Sequence, residues 1–267
     1  MLRKLMKYEF KATARTMLPL SAVTLILSVL MSFVFRFGES TTNRFVGILF
    51  GFVTILFVIA LLSVVVMVLV LMVNRFRNNI LSDEGYITLT LPVSIHKIIW
   101  SKIIVSSVWF MMSLLVVGLS LLVMVYQVGF LGSIWDFLMM LWSNMTATLA
   151  LNSTAMVIEL AIACFFSYAS FCLMAYAAMA IGYSRNRYKG VLSVCAFMAL
   201  TFLSNVFFTG LIYVVDFENF LFFLGNTLGE IGMTHVLFLL TNIIAIVSCA
   251  AYYFITTYML KNKLNIE

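Results

Sequence analysis

The segment Val46-Gly-Ile-Leu-Phe-Gly-Phe-Val-Thr-Ile-Leu-Phe-Val-Ile-Ala-Leu-Leu-Ser-Val-Val-Val-Met-Val-Leu-Val-Leu-Met-Val73 carries no charge over 28 residues, and its only hydroxyl side chains are Thr54 and Ser63. As a helix rising ~1.5 Å per residue it outruns the ~30 Å hydrocarbon core of a bilayer. In lipid the backbone must satisfy its own hydrogen bonds, which leaves helices or closed barrels, and no alternation of polar and apolar residues marks this run as a barrel strand. Five more runs have the required length: Leu18 to Phe35, Ile98 to Tyr126, Met156 to Tyr183, Val191 to Val215 and Val236 to Leu260. Across all 267 residues, 64% are hydrophobic and 10% charged, and mean hydropathy is +1.14, values that exclude a water-soluble globular protein. The fold class expected is an all-α membrane protein with six transmembrane helices.

The scarce charge orients the chain. Fourteen of its sixteen bases fall in four clusters: Arg3, Lys4, Lys7, Lys11 and Arg15; Arg75, Arg77, Lys97 and Lys102; Arg185, Arg187 and Lys189; Lys261 and Lys263. These alternate with acidic or nearly uncharged segments, and cytoplasmic loops are the ones enriched in Lys and Arg. Both termini are therefore expected in the cytoplasm, with external loops at 36–45, 127–155 and 216–235 and a cytoplasmic loop at 74–97. The 127–155 segment reads as an external interfacial helix, because a seventh span there would put the third cluster outside. Loop 216–235 combines Asp216, Glu218 and Glu230 with Phe217, Phe220, Phe222 and Phe223, the composition of short helices at an outer interface. The net charge of +6 thus belongs to the membrane surface, and no nucleic-acid partner is implied. The first apolar run follows a basic stretch with no small-x-small cleavage site behind it, so it reads as an anchor.

Residues 1–17 form the first of two expected domains, and residues 18–267 a single transmembrane domain. At ~100° per residue, Arg3, Lys4, Lys7, Lys11 and Arg15 share one arc, opposite Leu2, Leu5, Met6, Phe10 and Met17, the pattern of an amphipathic helix on the cytoplasmic leaflet. Glu9 breaks this pattern. A carboxylate in the apolar arc is costly unless it is paired, and it snorkels, bonds a neighbouring lysine or meets a partner subunit. In loop 74–97, Ser82 can cap a short helix beginning with Asp83 and Glu84, Gly85 interrupts it, and Pro92 with Ser94 makes the corner into the third span. Tyr86, Ile87, Leu89 and Leu91 would be exposed apolar residues here unless the loop docks on something.

Lys7-Tyr-Glu-Phe-Lys-Ala-Thr with Arg15 and Pro19, then Ser82-Asp-Glu-Gly-Tyr-Ile-Thr-Leu-Thr-Leu-Pro-Val-Ser and Ser101-Lys102, resembles the permease subunits of bacterial ABC exporters, of the small six-span type common in Gram-positive bacteria. These motifs cover 1–19 and 74–102, and the six-span topology extends the likeness along the chain. The resemblance implies a cytoplasmic elbow helix at 1–17, with Lys7, Glu9, Lys11 and Arg15 meeting headgroups or a partner. It also implies a coupling loop in which Asp83, Glu84, Gly85, Tyr86, Thr88, Leu91 and Pro92 contact a separate ABC ATPase subunit, and short external helices between spans five and six. The implied assembly pairs the chain with a second permease copy, or a related permease, in the bacterial plasma membrane. The chain has no G-x-x-x-x-G-K-[ST] loop, so ATP would be bound by that partner, and no cofactor or catalytic residue is expected.

Within the apolar runs the one acid is Glu159, near the outer end of span four, and it is the candidate for lining a cargo path. Asn205 and Asn242 read as links between helices. The histidines, His96 and His235, fall on opposite sides of the membrane by this topology and cannot share a metal. Cys164, Cys172, Cys195 and Cys249 lie within apolar runs as small core residues. The competing readings are a secondary transporter or channel working without an ATPase, and a permease-like sensor of antimicrobial peptides.

Overall fold

In the computed structural model, residues 2–38, 44–81, 94–125, 153–185 and 188–262 are described, with Asp136, Met139, Met140 and Ser143. Every regular element among them is helical: α1 (Leu2–Gly38), α2 (Arg44–Phe76) continued by a π-helical turn (Arg77–Leu81), α3 (Ile95–Val125), α4 (Ser153–Gly182), α5 (Lys189–Val214) and α6 (Phe217–Asn262). Six of these helices contain stretches long and apolar enough to cross a membrane: Arg3–Val34, Gly47–Leu81, Ile95–Met124, Ala155–Gly182, Lys189–Val214 and Gly232–Asn262. The last five match the apolar runs to within a few residues, except that α2 carries on through its π-helical turn.

One helix, α1, runs through both 1–17 and 18–35, with Pro19 inside it. Proline removes a single backbone donor, and Thr24 and Ser28 just beyond it tie their hydroxyls back to the carbonyls of Ser21 and Leu25 at 2.8 and 2.7 Å. The amphipathic arc itself is present in the exposures: Arg3, Lys4, Lys7, Lys11 and Arg15 are exposed, while Met17 is buried.

The chain divides into two compact units, Met1–Arg75 with Val93–Phe137, and Phe76–Pro92 with Leu138–Glu267. In the first, α1 packs along α3. Glu9 meets Lys102 and Thr13 meets Trp109, so the register advances in the same direction on both and they run parallel. α2 runs back antiparallel to α1: Thr54 near its start lies against Met31 of α1, and Arg75 at its end lies near Glu9. Small hydroxyl residues are buried on both helices, Thr24 and Ser28 on α1 and Ser106, Ser107, Ser113 and Ser120 on α3. Small side chains let parallel backbones approach where no hydrophobic effect drives helices together in lipid.

In the second unit α4 packs against α5 and α6. Glu159 meets His235, and further along Cys249 donates to the Phe166 carbonyl at 3.3 Å, so α4 and α6 are parallel. α5 is antiparallel to α4, with Ser193 against Gly182 and Thr201 against Met174. The C-terminal half of α4 is rich in alanine, and Cys172, Leu173 and residues 175–180 are all buried. α5 is the opposite case, with Met198, Phe202 and Phe207 more than 60% exposed, as a lipid-facing helix requires. α6 breaks at Gly229, whose φ of 70° and ψ of 174° suit glycine almost alone. Residues 217–228 thereby form a short helix ahead of the sixth span, within the loop where short helices are expected. Of 127–155, Asp136, Met139, Met140 and Ser143 are helical and exposed, and most of the remainder up to 152 lies outside the described residues.

Candidate functional site

Two clusters of charge interrupt the apolar helices. The first joins the three helices of the first unit. Lys102 Nζ donates to Glu9 Oε1 at 2.7 Å and to the Arg75 carbonyl at 3.2 Å, and Arg75 Nη1 lies 4.0 Å from Glu9 Oε2. The Lys102 side chain is 3% exposed and that of Glu9 14%. One turn further along α1, Trp109 Nε1 donates to Thr13 Oγ1 at 2.7 Å, and Phe10 stacks on the Trp109 ring with centroids 4.7 Å apart. Thr13 in turn donates to the Glu9 carbonyl at 2.9 Å.

The break in the amphipathic pattern is thus explained within the chain. Glu9 faces α3, and its partner is a lysine 93 positions away rather than Lys7 or Lys11, which are exposed with Arg15. Lys102 is correspondingly buried instead of completing the surface cluster of Arg75, Arg77 and Lys97. A base set inside the Ile98 to Tyr126 run was the available signal, since a buried charge requires an opposite one. Replacing Thr13 with valine leaves the indole N–H of Trp109, itself 5% exposed, without its acceptor. The expected loss is about 1–3 kcal/mol, read from denaturant titration of the purified chain, and Thr13→Ser is expected to recover most of it.

Phe76, after Arg75 in the chain, belongs to the second unit. Phe76, fully buried, stacks on Tyr176 of α4 with centroids 4.0 Å apart and planes within 8°. Ile80 and Leu81 of the π-helical turn are buried as well. The residues expected to contact a partner, Asp83, Glu84, Gly85, Tyr86, Thr88, Leu91 and Pro92, lie outside the described residues. What the structure does describe is the pair of stems that carry them, 74–81 and 94–102.

The second cluster lies in the second unit. Glu159 of α4 shares a hydrogen bond of 2.9 Å between its Oε2 and His235 Nδ1, and Asn242 Nδ2 donates to the Glu159 carbonyl oxygen at 3.3 Å. His235 and Asn242 are seven residues apart and so share a face of α6. The two members of the ion pair are about one-fifth exposed. Sequence reasoning placed Glu159 and His235 toward the same side of the membrane without joining them. No group of three or more His, Cys, Asp or Glu side chains that could hold a metal ion occurs among the described residues. Comparison with protein-family models, with curated proteins and with solved structures returned no match.

Proposed function

We propose that this chain is the membrane-spanning subunit of an ATP-driven exporter, working as a dimer with a separate cytoplasmic ATPase that docks on the loop between α2 and α3. The observation that carries the reading is the Glu9, Lys102 and Arg75 cluster. It ties the amphipathic start of α1 to both stems of that loop, Arg75 on one side and Lys102 on the other. A push on the loop then reaches three helices through short polar contacts and not through flexible surface chains. Rigid-body movement of helices driven from such a stem is one established way to switch access from one side to the other. In this reading ATP is bound by the partner chain, which is consistent with a sequence that has no G-x-x-x-x-G-K-[ST] loop.

The test is co-expression with a candidate ATPase chain. Wild-type protein is expected to co-purify with it and to stimulate its turnover. Charge reversal at Asp83 and Glu84 together with Tyr86→Ala is expected to reduce both by about tenfold or more, the loss of a charged, aromatic contact patch. Co-purification and turnover that match wild type sink the docking reading. The Glu159 and His235 pair favours a second reading, an ion-coupled secondary transporter, because acids within spans are the usual coupling groups. Cargo movement in vesicles holding this chain alone, without an ATPase, would favour it.

A further inference from the structure

The two charge clusters differ in one respect that separates a structural tie from a binding site. Glu9 has two permanent cations against it, Lys102 and Arg75. Glu159 has a histidine, and α4, the span part of α5 beyond Lys189 and α6 before Lys261 contain no Lys or Arg at all.

A second observation points the same way. Asn242 is 7% exposed, and while its Nδ2 reaches the Glu159 carbonyl, its Oδ1 finds no donor among the described residues. Buried amide oxygens are nearly always satisfied, and leaving one unmet costs as much as a lost hydrogen bond. The cluster therefore has acceptors in excess: Asn242 Oδ1 and the carboxylate oxygens of Glu159, of which Oε2 is engaged by His235. The ligand that answers this set is a donor with several N–H groups, no acceptor and a positive charge, which describes an ammonium. A metal ion fits less well, because the His235 nitrogen nearest the carboxylate is already bonded to it.

The surroundings specify the rest of the ligand. On the same two helices Ile158, Ile162, Leu239 and Ile243 are all between 40 and 58% exposed, so each helix presents apolar surface within a turn of Glu159 or Asn242. A molecule reaching it along that surface needs an apolar body behind its charged head. We propose that Glu159 and Asn242 form a recognition site for the ammonium group of an amphipathic amine, and that this class of molecule is the cargo. The site rests on the export reading for its role as a cargo site, but its existence as a binding site does not.

The experiment uses the full chain in phosphatidylcholine nanodiscs and radiolabelled dodecylamine, with dodecanol as the neutral probe of equal length and empty nanodiscs to subtract partitioning. Dodecylamine is expected to bind saturably at one site per chain, and dodecanol not to saturate. Glu159→Gln is expected to weaken the amine by about tenfold or more and Asn242→Leu by about threefold or more, the sizes typical of a charge-assisted and a neutral hydrogen bond. Glu159→Asp keeps the charge and is expected to retain most of the binding, which guards against a fold defect in the glutamine variant. Equal saturation by amine and alcohol, or amine binding untouched by Glu159→Gln and Asn242→Leu, overturns the site. Failure of the site with ATPase stimulation intact leaves the export reading standing. Amine binding by a chain that neither co-purifies with an ATPase nor stimulates its turnover leaves the site and removes the export reading.

Discussion

Replacing Glu9 with alanine is expected to destabilise the protein by on the order of 3 kcal/mol, the low end of what removing one member of a buried ion pair costs. Lys102 loses a carboxylate at 2.7 Å while its side chain stays 97% covered, so water cannot replace the lost partner unless the helices part. The low end is chosen because a lysine four carbons long can move its ammonium toward the interface, which recovers part of the loss. Lys102→Met removes the other member and leaves Glu9 with Arg75 at 4.0 Å, so its cost is expected to be smaller. The double variant, with methionine at both positions, leaves no buried uncompensated charge, since the one cation that loses its carboxylate, Arg75, has a side chain 32% exposed; it is expected within about 1–2 kcal/mol of wild type, because well-packed apolar pairs often replace buried ion pairs without loss. The measurement is equilibrium unfolding of the purified chain in mixed micelles, with tryptophan fluorescence as the signal, since Trp109 lies one turn from the pair. Single losses below about 1 kcal/mol that simply add in the double variant would show that the pair contributes no coupling.

If that coupling exists, its place gives it a functional meaning. The cluster is where α1, the end of α2 and the start of α3 come together, so the variants that break it are also the ones expected to weaken ATPase stimulation. Stability and coupling can be separated. The methionine pair is expected to restore the unfolding midpoint, while any deficit in stimulation that persists in it reports on the polar link itself.

The sequence carried the spans and did not carry the pairings, for a physical reason. Whether a helix crosses a membrane is a local property, the length of an apolar run, and α2 through α5 and the span part of α6, Gly232–Asn262, begin and end close to where their runs do. α1 runs unbroken from Leu2 to Gly38 because a change from amphipathic to fully apolar pattern alters what a helix faces, not whether its backbone bonds continue. The orientation of Glu9 into an apolar arc was legible, but its partner lies 93 residues away on a helix whose register only the fold defines. Glu159 and His235, 76 residues apart, are the same case. One signal could have been used further: the alanines between Ala169 and Ala180, at a density unlike that of α2 or α5, belong to a helix packed against others and not against lipid.

Gly182→Ala is expected to destabilise by about 1–3 kcal/mol, the range for overpacking a tight contact. By helix propensity alone the same change in a helix would stabilise by up to about 1 kcal/mol. The sign is reversed because α4 ends where α5 begins, and a methyl at 182 would lie 2.5 Å from the backbone nitrogen and 2.6 Å from the Cα of Ser193. A matched glycine supplies the control: a methyl at Gly210 of α5 meets nothing within 4 Å, so Gly210→Ala is expected to be neutral or stabilising in the same titration. Ser193→Gly combined with Gly182→Ala distinguishes backbone from side chain. It removes the hydroxyl but neither the nitrogen nor the Cα, so rescue is expected to be partial. Full rescue would mean that only the Ser193 side chain fills the space, and the two backbones could then separate without cost. Partial rescue would place the constraint in the helix crossing itself, which is what holds α5 antiparallel to α4.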